Sequence, residues 1–162
     1  MIEKKITTTF YQTEKKSLNK EENSLVDLAI NSLRSAYAPY SGFMVGAAVL
    51  LYNGEIISGN NQENVAYPSG LCAERVAIYY AGAKFPDVKI KKIAISAVSK
   101  KFNFTDVVSP CGSCRQAIAE YEVKQDENIK ILLHHPNDDI IIVDSVSDLL
   151  PFMFKSKGLK NF

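Results

Sequence analysis

Cys111-Gly112-Ser113-Cys114 places two sulfurs at a spacing that lets both grip one ion, with Pro110 directly before them. Alone, a C-x-x-C pair is open between a zinc clip and a redox dithiol. Redox motifs of the thioredoxin type follow a first strand near the N-terminus, and this pair does not. The third cysteine, Cys72, lies well upstream at another expected helix start. Thiols there sit at the positive end of the helix dipole, which favours the thiolate, the metal-binding form. Three thiolates on one zinc leave a fourth tetrahedral position for water, the pattern of a catalytic rather than a closed structural site. Glu74, two residues after Cys72, is a short step from that open position. A carboxylate there can take a proton from an acidified water and return it elsewhere.

Such a site needs a scaffold that starts two helices at one place. The 162 residues are 46% apolar and 23% charged, enough for one well-packed domain and unlike a disordered chain. Net charge is +1, from 19 Lys and Arg against 18 Asp and Glu, which gives no electrostatic footprint for nucleic acid or an anionic membrane. With no secretory signal pattern and no membrane-length apolar run, three free thiols fit a reducing, cytoplasmic setting.

Residues 1–22 form a polar, Lys-rich extension with a short Ile6 to Tyr11 stretch, expected as an edge strand or a mobile segment; residues 23–162 form the main domain. Asn19 and Glu22 are spaced as a helix cap, before apolar residues at helical spacing to about Tyr37. Two apolar runs joined by Asn53-Gly54 predict a hairpin. Helix, strand, helix, strand then follow over Cys72 to Lys84, Ile90 to Val98, Cys111 to Tyr121 and Ile129 to Leu133. A strand from Ile140 to Val143 and a short helix near Val146 to Phe152 complete the reading. The order predicts an α/β fold, a three-layer α/β/α sandwich with a central mixed sheet of about five strands. His134-His135 is not read as a metal pair, because adjacent strand residues face opposite ways; both are expected at the surface.

Cys72-Ala73-Glu74 with Pro110-Cys111-Gly112-Ser113-Cys114 resembles the zinc deaminase signature. Ala38-Pro39-Tyr40-Ser41-Gly42-Phe43, Asn61-Gln62-Glu63-Asn64, Arg75, Arg115-Gln116 and Leu149-Leu150-Pro151 extend the resemblance to the small homotetrameric cytidine deaminases over about residues 25–154. The resemblance implies zinc-dependent hydrolytic deamination of cytidine or deoxycytidine in pyrimidine salvage. It implies one Zn²⁺ per subunit on Cys72, Cys111 and Cys114, with Glu74 as proton carrier. Asn61 and Glu63 would bind the ribose hydroxyls and Phe43 would pack on the nucleoside. The Ala73 backbone and the Ser109 carbonyl would meet the pyrimidine edge. Arg75 and Gln116 would donate to zinc-bound sulfur, offsetting the charge of three thiolates. Tyr67 and Phe154 match positions that reach across subunit interfaces. Without metal, all three cysteines are expected as free thiolates. A blasticidin-S-type deaminase shares the zinc residues but not the need for a sugar diol. A structural zinc module would require a fourth protein ligand and leave Glu74 without a task.

Overall fold

Strands covered on both faces need apolar residues at nearly every position, and the central segments supply them. The computed structural model describes residues 1–155. Its strands, in chain order, are β1 (Tyr11–Glu14), β2 (Phe43–Leu51), β3 (Ile56–Asn60), β4 (Ile90–Ser99), β5 (Lys130–His134) and β6 (Asp139–Val143). Its helices are α1 (Lys20–Ser32), α2 (Ala73–Lys84) and α3 (Gly112–Gln125). One sheet runs β1-β6-β5-β4-β2-β3, with β4 and β5 parallel and the other neighbours antiparallel. Alternation along the strands builds two cores. Val49, Ile93, Ile95 and Ile131 face α2 and α3, while Ala48, Leu50, Ala94 and Leu132 face α1. The three-layer expectation holds. The sheet has six strands because the N-terminal extension adds β1 to the edge of β6, and the expected boundary at residue 22 falls inside α1.

Local chemistry explains most boundaries. Asn19 Oδ1 accepts from the Glu22 amide at 2.9 Å and its Nδ2 donates to Glu22 Oε2 at 2.8 Å, a reciprocal cap at the start of α1. Glu22 also takes the buried Lys92 ammonium at 2.6 Å, tying α1 to β4. α1 ends at Ser32, earlier than its apolar pattern suggests, and tightens into a 3₁₀ turn over Leu33–Ser35. There Ser32 Oγ bonds the Ala29 and Gly59 carbonyls at 2.8 and 3.0 Å. The hairpin forms, with Gly54 at φ 88° as the left-handed residue of its turn. The expected helix over Val146 to Phe152 is a single 3₁₀ turn, Val146–Asp148, capped by Ser145; Pro151 disfavours continuation.

The two histidines are buried, at 5% and 8% exposure, contrary to expectation. Polar partners make that burial tolerable. His134 Nδ1 lies 2.9 Å from Ser96 Oγ and its Nε2 3.1 Å from Asp138 Oδ1, while His135 Nε2 meets the Phe104 carbonyl at 2.9 Å. Among the described residues, no helix is long and apolar enough to cross a membrane.

Candidate active site

Two helix starts converge at one end of the sheet. Gly59 on β3 lets the first of them approach: a Cβ there would meet Ala77 N at 2.7 Å and Ala73 O at 2.8 Å, so α2 lies directly on the strand. Cys72 is the N-cap of α2 and Cys111 the N-cap of α3, both extended, and neither side chain caps its helix. Their sulfurs stay available beside two sets of unpaired helix amides. Cys114 sits in the first turn of α3, fully buried. The three Sγ atoms all lie within 4.8 Å of one another, the one group among the described residues with this metal-holding arrangement. No disulfide joins them.

The protons are shared unequally. The Cys114 thiol hydrogen-bonded to it, with Arg75 behind, holds Cys72 down to about 5, against the pull of burial. The same bond, with burial and the nearby Glu74 charge, pushes Cys114 well up. The two thiols are thus pushed in opposite directions, Cys72 toward the thiolate and Cys114 toward the thiol. Cys111 Sγ lies 3.6 Å from Cys114 Sγ. Arg75 Nη2 approaches Cys72 Sγ at 3.5 Å, as expected, and its buried Nε has no hydrogen-bond partner. A cation committed to this cluster, with donor capacity to spare, fits a site that gathers thiolates around a metal. The donor set fits zinc.

Glu74 is 4% exposed in the first turn of α2. Burial raises its pKa above the usual carboxylate value, and the Cys72 charge adds to that, against the pull of its own backbone amide. A proton carrier working near neutral pH needs that direction.

A cleft of about 520 Å³ opens beside the thiols, its walls including Tyr40, Ser41, Asn61, Glu63, Cys72 and Arg75. That volume suits a small-molecule ligand. Asn61 Oδ1 accepts from the Val45 amide at 2.8 Å and its Nδ2 donates to the Phe43 carbonyl at 2.9 Å, which fixes the side chain on β2. Glu63 Oε2 accepts from the Tyr40 amide at 2.9 Å and its Oε1 from the Ser41 hydroxyl; that hydroxyl bond lowers its pKa. Phe43, Glu74 and Ser109 lie outside the walls of this cleft. Phe43 instead stacks with Phe102, ring centroids 6.2 Å apart and 13° from parallel, and touches Phe104. Ala73 is buried beneath Gly59.

Gln116 does not take the place expected beside sulfur. Both ends of its amide bond the Phe154 backbone, at 2.7 and 3.0 Å, so it anchors the C-terminal segment. Phe154 and Tyr67 are 73% and 77% exposed, and Tyr67 meets the Tyr40 ring edge-on. The sequence reading also missed Arg115. Its Nε donates to the Pro110 carbonyl at 2.7 Å, Nη1 to the Leu149 carbonyl at 2.7 Å and Nη2 to Ser109 Oγ at 2.9 Å. Its place directly after Cys114 was the available signal.

Comparison with known proteins agrees with this geometry. Residues 19–126 match the family described as the cytidine and deoxycytidylate deaminase zinc-binding region. A cytidine deaminase of Halalkalibacterium halodurans is 35% identical over 141 residues, covering 87% of this chain and 99% of the relative. One from Mycobacterium tuberculosis is 33% identical over 135 residues, covering 82% and 88%. The crystal structure of cytidine deaminase from Burkholderia pseudomallei superposes with a TM-score of 0.70 at 32% identity, covering 81% of this chain and 97% of that one. Two helix starts, three converging sulfurs and a buried glutamate thus sit in a chain that belongs to the cytidine deaminase family.

Proposed function

We propose that the protein is a zinc-dependent cytidine deaminase that converts cytidine or deoxycytidine and water to the uracil nucleoside and ammonia. One observation carries the reading: three sulfurs within 4.8 Å at two helix starts, with Glu74 buried among them. Cys72, Cys111 and Cys114 would hold one zinc per subunit. When bound, zinc supplies a Lewis acid that brings a water proton within reach of removal near neutral pH.

The chain's own residues supply the rest. Glu74 accepts a proton from the attacking water and passes it to ring nitrogen N3 as the oxygen bonds C4. It then takes the remaining proton from the hydroxyl added at C4 and delivers it to the departing amino group, so that the C4 carbonyl forms as the C4–N4 bond breaks to release ammonia. Burial shifts its pKa upward, the direction a proton carrier needs. Arg75 offsets the charge of the sulfur cluster. Asn61 and Glu63, fixed by β2 and by Tyr40–Ser41, would bind the ribose hydroxyls. Phe43 would pack on the nucleoside, with the Ala73 backbone and Ser109 carbonyl at the base edge.

The reading extends to a cytoplasmic role in pyrimidine salvage and to a homotetramer, in which the exposed Tyr67 and Phe154 would reach neighbouring subunits. The zinc-loaded protein, mixed separately with cytidine, deoxycytidine and blasticidin S and followed by ultraviolet absorbance, tests it. Turnover of either natural nucleoside is expected. Turnover of blasticidin S alone, or of none of the three, overturns the assignment.

A further inference from the structure

The turn that carries Ser41 is gripped from two sides. The Gly42 amide returns to the Ala38 carbonyl at 3.0 Å, and Gly42 takes φ 68°, a left-handed conformation that costs glycine nothing sterically. On one side, Glu63 Oε2 accepts from the Tyr40 and Ser41 amides at 2.9 and 3.3 Å, and Oε1 accepts from the Ser41 hydroxyl. That hydroxyl in turn accepts from the Phe43 amide at 2.9 Å. The other grip comes from the chain at the end of β4. The Lys100 amide donates to the Gly42 carbonyl at 3.0 Å, and Lys101 Nζ donates to the Tyr40 carbonyl at 2.6 Å. The Lys101 stem runs beside Gly42, where a Cβ would lie 3.4 Å from its Cγ and Cε.

One peptide unit thus stands between an anion and a cation. Its N–H, from Ser41, meets Glu63, and its carbonyl, from Tyr40, meets Lys101. In a trans peptide these two groups point opposite ways, so each charge takes the end of the dipole that suits it. Each bond also polarises the group that makes the other. Tyr40, Ser41 and Glu63 all line the cleft beside the thiols, so a grip on the turn is felt at the cleft wall. The Ser41 hydroxyl bond is the main influence lowering the Glu63 pKa, and the Lys101 charge adds a smaller one in the same direction. We infer that Lys101 is a positioning residue for the sugar end of the substrate, holding the Tyr40–Ser41 peptide so that Glu63 presents its carboxylate to the ribose; this rests on the cytidine deaminase reading. The hydrogen bonds of Lys101 go to Ser99 and Tyr40, not to the thiols or Glu74, so its effect belongs to binding and not to the chemical step.

The test measures KM and kcat for cytidine, the inhibition constant for uridine (the product, with the same sugar) and melting temperature. It compares wild type, Lys101→Met, Lys101→Arg, Glu63→Gln and the Lys101→Met, Glu63→Gln pair. Lys101 is exposed, so shortening its reach leaves the core untouched. In Lys101→Met, KM and the uridine constant are expected to rise together by about fivefold, with kcat within about twofold of wild type, the mark of lost uniform binding. Lys101→Arg keeps a donor and a charge and should return both constants to within about twofold of wild type. In the Glu63→Gln background, Lys101→Met should add less than about twofold, because the carboxylate it serves is gone. A lower melting temperature with unchanged constants makes Lys101 a stabilising residue only and overturns the inference. An equal rise with and without the Glu63 carboxylate overturns it as well. A wild type inactive on cytidine overturns the functional reading and this inference with it; an active wild type with unchanged constants in Lys101→Met overturns this inference alone.

Discussion

Two glutamates, one at the start of α2 and one near the end of α3, are buried to similar extents and held in opposite ways. Glu122, 8% exposed, accepts from the Ile129 and Val146 amides and from the Ser145 hydroxyl, each at 2.9 Å. Those are fixed donors, and they join α3 to the chain before β5 and after β6. Glu74, 4% exposed, lies instead among ionisable thiols, and burial raises its pKa. The same side chain is therefore a rivet at one end of the helical layer and a proton carrier at the other. What separates them is whether the surrounding partners can change protonation state.

The sharpest way to break that contrast is Glu74→Gln. It should retain the metal and lose on the order of a thousandfold in cytidine turnover, read by steady-state kinetics and metal content. Its stability should move the other way. A carboxyl whose pKa is raised on folding makes the ionised form costly, so its contribution falls as pH climbs through and above the ordinary value of 4.5. Metal-free Glu74→Gln should accordingly melt higher than metal-free wild type at neutral pH. A lower melting temperature with full activity would place Glu74 with Glu122.

Glu122→Ala should give the mirror result. Three donors lose their acceptor, so stability should drop by about 3 kcal/mol in chemical denaturation, with kcat per folded molecule nearly unchanged. A variant that folds well but turns over slowly would remove the distinction between the two carboxylates.

Arg75→Ala probes the surroundings of Glu74 rather than the carboxylate itself. Turnover should fall about tenfold with zinc largely retained, since the guanidinium acts through the sulfur it touches. Unchanged kinetics and unchanged zinc affinity would remove that role.

His134 extends the contrast to a base. Burial pulls its pKa below 6.5, more than the Asp138 contact raises it. A histidine depressed on folding contributes stability above its unfolded value and loses it as pH falls below about 6.5. His134→Gln should flatten the acid side of the melting-temperature profile, the smallest of these effects. A steeper acid side in the variant would contradict it.

Chemistry carried by residue type at fixed spacing was legible in the sequence. Cys72, Glu74, Cys111 and Cys114 announce their site because metal ligation permits few alternatives, and the strands of the sheet announce themselves because both faces are apolar. What resisted were contacts set by tertiary packing. Nothing local in Gln116 says that its amide will meet the Phe154 backbone, or that Arg115 will turn back across its helix to Leu149. His134 and His135 read as surface residues because their partners, Ser96 and Phe104, come from β4 and the loop after it. The opposite shifts of Cys72 and Cys114 were hidden for the same reason, since they depend on which sulfur lies nearest which donor.

The edge strand β1 has a consequence in time. Tyr11 pairs with Ile142, and the Thr9 amide donates to Asp148 across 139 positions of sequence. Its partner is the last strand among the described residues, so β1 must wait until the intervening strands and helices have been translated before the sheet edge can close. Contacts so distant in sequence are late and slow to form. Until they do, the outer side of β6 offers an unpaired backbone to any other strand, including β1 of a second chain. Closure of that edge should therefore compete with intermolecular pairing during refolding at high protein concentration.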